Sequence, residues 1–201
     1  MAEIFVRFLP VYPECSRPTG ISSPVTLTQI CRQWRDIALA TPTLWRALYL
    51  NFGSDNSAAR QLRELEAWLS RSGCCPMSVQ IIIKDVDDSE YKFSSAQCAR
   101  WEVLKISLPS SYLPVTEASM PLLRQLDLSV DNHPFTSNLI LSGNMPLLRS
   151  VILSDCAANA VSLPWAQLTP GVVQSLPLGM HSNSAADIQL GPLQIASRRR
   201  R

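Results

Sequence analysis

The sequence predicts a mixed α/β chain in which a short helical unit is followed by a short array of stacked repeats building a parallel sheet. Three observations carry that prediction. Between residues 27 and 40, apolar side chains recur at three- and four-residue spacing, the period of one helix face. From residue 77 the period shortens: Val79, Ile81 and Ile83 alternate around Gln80 in a run rich in β-branched residues, as in a strand. From residue 103 one apolar spacing returns three times, as Val103, Ile106, Leu108, then Leu123, Leu126, Leu128, then Leu148, Val151, Leu153.

In order along the chain, residues 3–9 (EIFVRFL) read as a short helix stopped by Pro10. Residues 11–24 carry Pro13, Pro18, Gly20 and Pro24 and read as a loop, longer than the ~4 to 6 residues usual between helices. Leu27, Ile30, Cys31, Trp34, Ile37 and Ala38 then line one side of a helix, with Gln33, Arg35 and Asp36 on the other, and the helix is expected to end near Ala40. Thr41 as N-cap and Pro42 at the first helical position restart the chain as a second short helix with Leu44, Trp45 and Leu48 on its apolar face. Such faces ordinarily pack on their own core, so periodicity alone assigns them no partner.

The particular string narrows the reading. Cys31, Arg32, Trp34, Arg35, Ile37 and Ala38, followed by Pro42, Leu44 and Trp45, closely resemble the second half of the F-box-like domain, in the form common in large families of mushroom-forming fungi. Residues 3–9 are similar to the end of the first helix of that domain. The family usually opens with a Leu-Pro-x-Glu element that helps grip the partner, and this sequence begins too late to contain it. In that family the helical domain docks on a Skp-type adaptor within a cullin-based ubiquitin ligase, and a downstream domain recruits the protein to be ubiquitinated. The resemblance therefore implies a substrate-recognition adaptor, not an enzyme. Leu27, Ile30, Cys31, Trp34, Ile37, Pro42, Leu44 and Trp45 would face the Skp-type partner, and the repeats would face an unknown target protein. The alternative is a truncated leucine-rich binding fragment without ligase function.

Residues 51–57 are polar and read as a turn, and residues 58–72 as an amphipathic linker helix closed by Gly73. Its inner face is expected to be Ala58, Leu62, Leu65 and Leu69, with Arg60 and Glu64 outside. Asp85, Asp87, Asp88 and Glu90 lack the ligand order of a calcium loop and read as a solvated acidic turn. The repeats step by 20 and 25 residues, within the leucine-rich-repeat range, and the phrase Met-Pro-Leu-Leu-Arg occurs at both Met120 and Met145. Each strand is too short to bury its own face, so stacked copies share a core. Neighbouring parallel strands are expected over 79–84, 104–108, 125–129 and 150–154, with Ile81, Ile83, Ile106, Leu108, Leu126, Leu128, Val151 and Leu153 inside. Cys156 is expected beneath the turn after the last of these, as a structural residue. Lys105, Ser107, Gln125, Asp127, Ser150 and Ile152 alternate with the core residues and are the candidate target face. The expected organisation is a partial F-box-like helical domain over 1–50, the linker helix over 51–78 and a leucine-rich-repeat-like array over 79–170. Trp165 and Leu168 would partly cover the end of the array, and 171–201 would be a disordered tail.

Composition bounds the function. At 46% hydrophobic and 17% charged, the 201 residues suit a globular chain. No apolar run approaches the ~18 residues that span a bilayer, and the N-terminal run ends at Pro10, so an intracellular protein without membrane attachment is expected. The six cysteines are scattered without a CxxC pair, and with only His133 and His181 to assist they suit reduced thiols better than disulfides or zinc. No phosphate loop, nucleophile elbow or paired metal ligands point to catalysis, a metal or a cofactor. The net charge of +2 owes everything to Arg198, Arg199, Arg200 and Arg201, so no basic stripe for nucleic acid remains.

Overall fold

The computed structural model describes residues 2–53, 58–84, 95–109, 119–130, 144–154 and 173–176. It is mixed α/β: helices at the N-terminus lead into one parallel sheet. The helices are α1 (Ala2–Phe8), α2 (Pro24–Ile30), α3 (Arg32–Leu39), α4 (Ala58–Arg71) and the short α5 (Ser95–Cys98), with a 3-10 turn at Pro42–Trp45. Among the described residues six strands form the sheet: β1 (Ala47–Phe52), β2 (Met77–Ile83), β3 (Trp101–Leu108), β4 (Gln125–Val130), β5 (Ser150–Ser154) and β6 (Val173–Leu176). They lie in chain order, every neighbouring pair parallel.

The register explains why the apolar spacing returns. Leu48, Val79, Leu104, Leu126 and Val151 stand side by side across five strands, and Leu50, Ile81, Ile106, Leu128 and Leu153 form the next row. Apart from Ile106, which is half-buried, all of these are buried, so each strand extends an apolar ladder that its neighbour began. The expected core residues Ile83 and Leu108 are buried too. The duplicated phrase folds the same way twice. Leu123 N–H donates to Met120 O at 3.1 Å and Leu148 N–H to Met145 O at 3.2 Å, each turn carrying its proline at the second position and burying its methionine.

Several expectations need correction. The helix read over 27–40 is two helices. Ser23 caps α2 by accepting from Val25 N–H, with Pro24 in the first position, so α2 begins inside the stretch read as loop. Cys31 is extended and caps α3: its sulfur accepts from Trp34 N–H at 3.5 Å and its carbonyl from Arg35 N–H at 3.0 Å. Thr41 supplies no side-chain cap to the 3-10 turn, because its hydroxyl donates back to Ile37 O at 2.7 Å. Leu48 lies on β1, not on a second helix, so a domain boundary at residue 50 would cut a strand. One core runs from Phe5 through Trp45, Leu65 and Val79 to Leu153, so helices and sheet are packed as one body.

On α4 the buried positions are Gln61, Leu65 and Trp68, followed by the buried Ser72 just past its end, with Leu62 and Leu69 half-buried. The inner face is thus turned from the expected one by the bulk of Trp68, and it ends at Gly73, whose φ of +57° favours glycine. Residues 173–176, expected within a disordered tail, pair with β5 as β6. Backbone pairing with an open strand edge requires no apolar alternation of its own. The rest of 171–201, the acidic residues 85–90, Cys156, Trp165 and Leu168 lie outside the described residues. Among the described residues no helix is long and apolar enough to cross a membrane.

Candidate partner-docking surface

Four large apolar side chains in the seven residues of α1 (Ile4, Phe5, Val6, Phe8) are more than one face of the helix buries. Phe5 is the one taken inside, 4.8 Å ring to ring from the half-buried Trp34. Ile4 (66% exposed), Val6 and Phe8 stay in water, with Ile4 and Phe8 one turn apart on the same side. Val11, Ile21, Ile30 (55% exposed) and Leu39 do the same on the segments that follow. Among the described residues every exposed large apolar side chain lies between Ile4 and Leu39.

The resemblance-derived partner residues divide into two sets. Leu27, Leu44 and Trp45 are fully buried. Trp45 donates its indole N–H to Ala38 O at 2.9 Å, meets Trp68 edge-on at 5.0 Å and carries the Arg71 guanidinium 4.4 Å from its ring centroid. Trp34 and Ile37 are half-buried against the core, while Ile30, Cys31 and Pro42 are exposed. Surface is therefore offered by Ile30, Cys31, Pro42 and the outer edges of Trp34 and Ile37, and the buried three hold α2, α3 and the 3-10 turn in place beneath them. Ile4, Val6, Phe8 and Leu39 were missed as surface residues; the signal available was the excess of apolar residues in α1 over what a single stripe holds.

The second candidate surface is the sheet face opposite the core. Tyr49, Gln80, Lys105, Asp127 and Ile152 form one row across it, and Gln125 and Ser150 another pair. The chain's own residues 12–17 are tied to the first three strands of this sheet. Tyr12 Oη donates to Glu102 Oε2 at 2.7 Å, Ser78 Oγ to Pro13 O at 2.6 Å, and Tyr49 N–H to Ser16 O at 3.2 Å. Cys15 Sγ sits 3.3 Å from Ser78 Oγ, Lys105 Nζ 3.5 Å from Glu14, and the Arg17 guanidinium 5.4 Å over the Tyr49 ring. Burial and the bond to Glu102 push the Tyr12 phenol up, and burial pushes the Cys15 thiol up. Asp127, further along, has its carboxyl raised by burial, which the nearby Lys105 partly offsets.

No protein-family model matches the chain, and neither the curated proteins nor the solved structures contain a match to it.

Proposed function

We propose that the chain is the substrate-recognition adaptor of a ubiquitin ligase of the Skp-cullin-F-box type, holding a Skp-type adaptor with its N-terminal helices and a target protein with its sheet. The observation that carries this reading is that, among the described residues, the exposed large apolar side chains are confined to residues 4–39. Apolar surface gathered on one part of a chain marks an interaction site, whereas single apolar residues scattered over a surface do not. The F-box-like string lies on those same helices.

The sheet supports the other half of the reading. Parallel strands in chain order, sharing one apolar ladder and preceded twice by the same Met-Pro turn, are what a leucine-rich-repeat-like array requires. Asp127, Gln125, Ser150 and Ile152 lie beyond the strands tied to residues 12–17, and target recognition is assigned to them. Ubiquitin transfer falls to other subunits in this reading, and the chain works inside the cell, in cytoplasm or nucleus.

Co-purification with a Skp-type protein is the test. A tagged chain should retain the adaptor, and Phe8→Asp and Ile30→Asp should each release it while leaving circular dichroism unchanged. If a chain extended upstream to include a Leu-Pro-x-Glu segment still retains no Skp-type protein, the ligase reading ends.

A further inference from the structure

We infer a second docking site, in the cleft between α1, the segment that follows it and the start of β1, built for a partner segment that places a bulky aliphatic side chain beside a carboxylate. The cleft encloses about 340 Å³. That is the small end of the ~300 to 1,000 Å³ range of ligand pockets, room for a pair of side chains. Val6, Leu9, Val11, Leu44 and Ala47 give it apolar walls, and Val6 and Val11 stand exposed beside it.

Two arginines, Arg7 and Arg46, line the same cleft. Arg46 lies 3.8 Å over the centroid of the Tyr12 ring, and Tyr12 is itself fixed by its bond to Glu102. Stacking engages the flat face of a guanidinium and leaves its in-plane N–H groups unspent, in the forked geometry that matches a carboxylate. Among the described residues neither the Arg7 nor the Arg46 side chain has a hydrogen-bond acceptor or an ion-pair partner. Glu14, the acid that also lines the cleft, sits with Lys105 instead. Among the described residues the cleft therefore combines an apolar wall with two arginines that have no ion-pair partner, one of them, Arg46, held over the Tyr12 ring. Between anions, a carboxylate loses less hydration than a doubly charged phosphate on entering such a wall.

This site does not rest on the adaptor reading, and its test is separate. The blocked peptide acetyl-Gly-Leu-Glu-Gly-amide is titrated into the full isotope-labelled chain and followed by NMR. Shifts are expected at Val6, Leu9 and Ala47, with the Gln counterpart binding about tenfold more weakly, the loss expected for one charge-assisted contact. Replacing Leu by Ala in the peptide should weaken it several-fold. Arg46→Gln should weaken the Glu peptide to the level of the Gln peptide, and so should Arg7→Gln, which sits on exposed helix surface and leaves the fold intact. Arg46→Gln, which lies outside the N-terminal helices, should still retain a Skp-type protein wherever the parent chain does. Equal binding of the Glu and Gln peptides, shifts confined to other regions, or tighter binding of a phosphoserine peptide than of the Glu peptide would each overturn the assignment.

Discussion

Replacing Trp45 by Leu separates two roles that the helical string superimposes, support of the docking helices and contact with a partner. Truncating a fully buried tryptophan to alanine costs about 3 to 5 kcal/mol. Leucine keeps part of the volume but loses the indole hydrogen bond to Ala38 O, about 0.5 to 1.5 kcal/mol net, and the edge-on contact with Trp68, a further 0.5 to 1.5 kcal/mol or so. Ala38 O still accepts from Thr41 N–H at 3.3 Å, so no carbonyl is left without a donor. With the residual cavity the expected loss is about 2 to 3 kcal/mol, within the ~5 to 15 kcal/mol that holds a domain together. Urea unfolding measures it, and in the absence of denaturant the variant should still bind a Skp-type protein. Ile30→Asp should behave in the opposite way, changing stability by less than about 0.5 kcal/mol while losing the partner. A Trp45→Leu chain that unfolds at the wild-type urea midpoint yet no longer binds would refute the division into buried supports and exposed contacts.

Three further outcomes are expected. Arg100 donates to Leu69 O at 2.7 Å, Ser72 Oγ at 3.0 Å, Cys75 O at 3.3 Å and also to Gly73 O, closing the C-terminal end of α4. Arg100→Lys keeps the charge but not the fork, and should cost about 2 kcal/mol in thermal or urea unfolding; an unchanged midpoint would show those bonds to be incidental. Asp127 has a carboxyl pKa raised by burial, so the folded state takes up a proton more readily than the unfolded one and gains stability as pH falls through that raised pKa. Asp127→Asn should be more stable than wild type at neutral pH and should flatten that part of the stability profile; a profile identical to wild type would rule the effect out. Thiol labelling of the native chain, read by peptide mass mapping, should modify the exposed Cys31 and Cys74 quickly and Cys98 slowly, since burial pushes the Cys98 thiol up to about 12. Rapid native labelling of Cys98 would mean that the core beside it opens.

The sheet was legible because its signal is repeated: three copies of one spacing, two of one phrase, and side-chain alternation that ties a register to a face. What stayed hidden belonged to single events. Cys31 ends one helix and starts the next through a sulfur cap, and cysteine is not among the residues by which a helix start is recognised. The strand at Ala47–Phe52 follows a tryptophan and proline pattern that reads equally well as helix, and only pairing with β2 decides it. On α4, Trp68 outweighs Leu62 and Leu69 in choosing the inner face, a matter of volume that period counting does not weigh. The candidate docking residues show the same limit. Spacing placed Leu27, Ile30, Cys31, Trp34, Ile37, Leu44 and Trp45 on apolar faces, but which of them the chain keeps for itself depends on partners as distant as Trp68.

The two ends of this sheet are not alike. At β1 the outward N–H groups of Tyr49 and Asn51 are already occupied, by Ser16 O at 3.2 Å and by Gln61 Oε1 at 3.1 Å. With these two donors spent, that side is a poor template for an incoming strand. At the other end β6, the last strand among the described residues, continues the parallel backbone pairing from Val151↔Val173 onward, and lengthening is left to that direction. The fold thus has a fixed origin, set where the N-terminal helices attach, and a tunable length. An engineer who wished to enlarge the proposed recognition face would append units beyond β6 and leave the first fifty or so residues untouched, since they anchor the sheet's first strand.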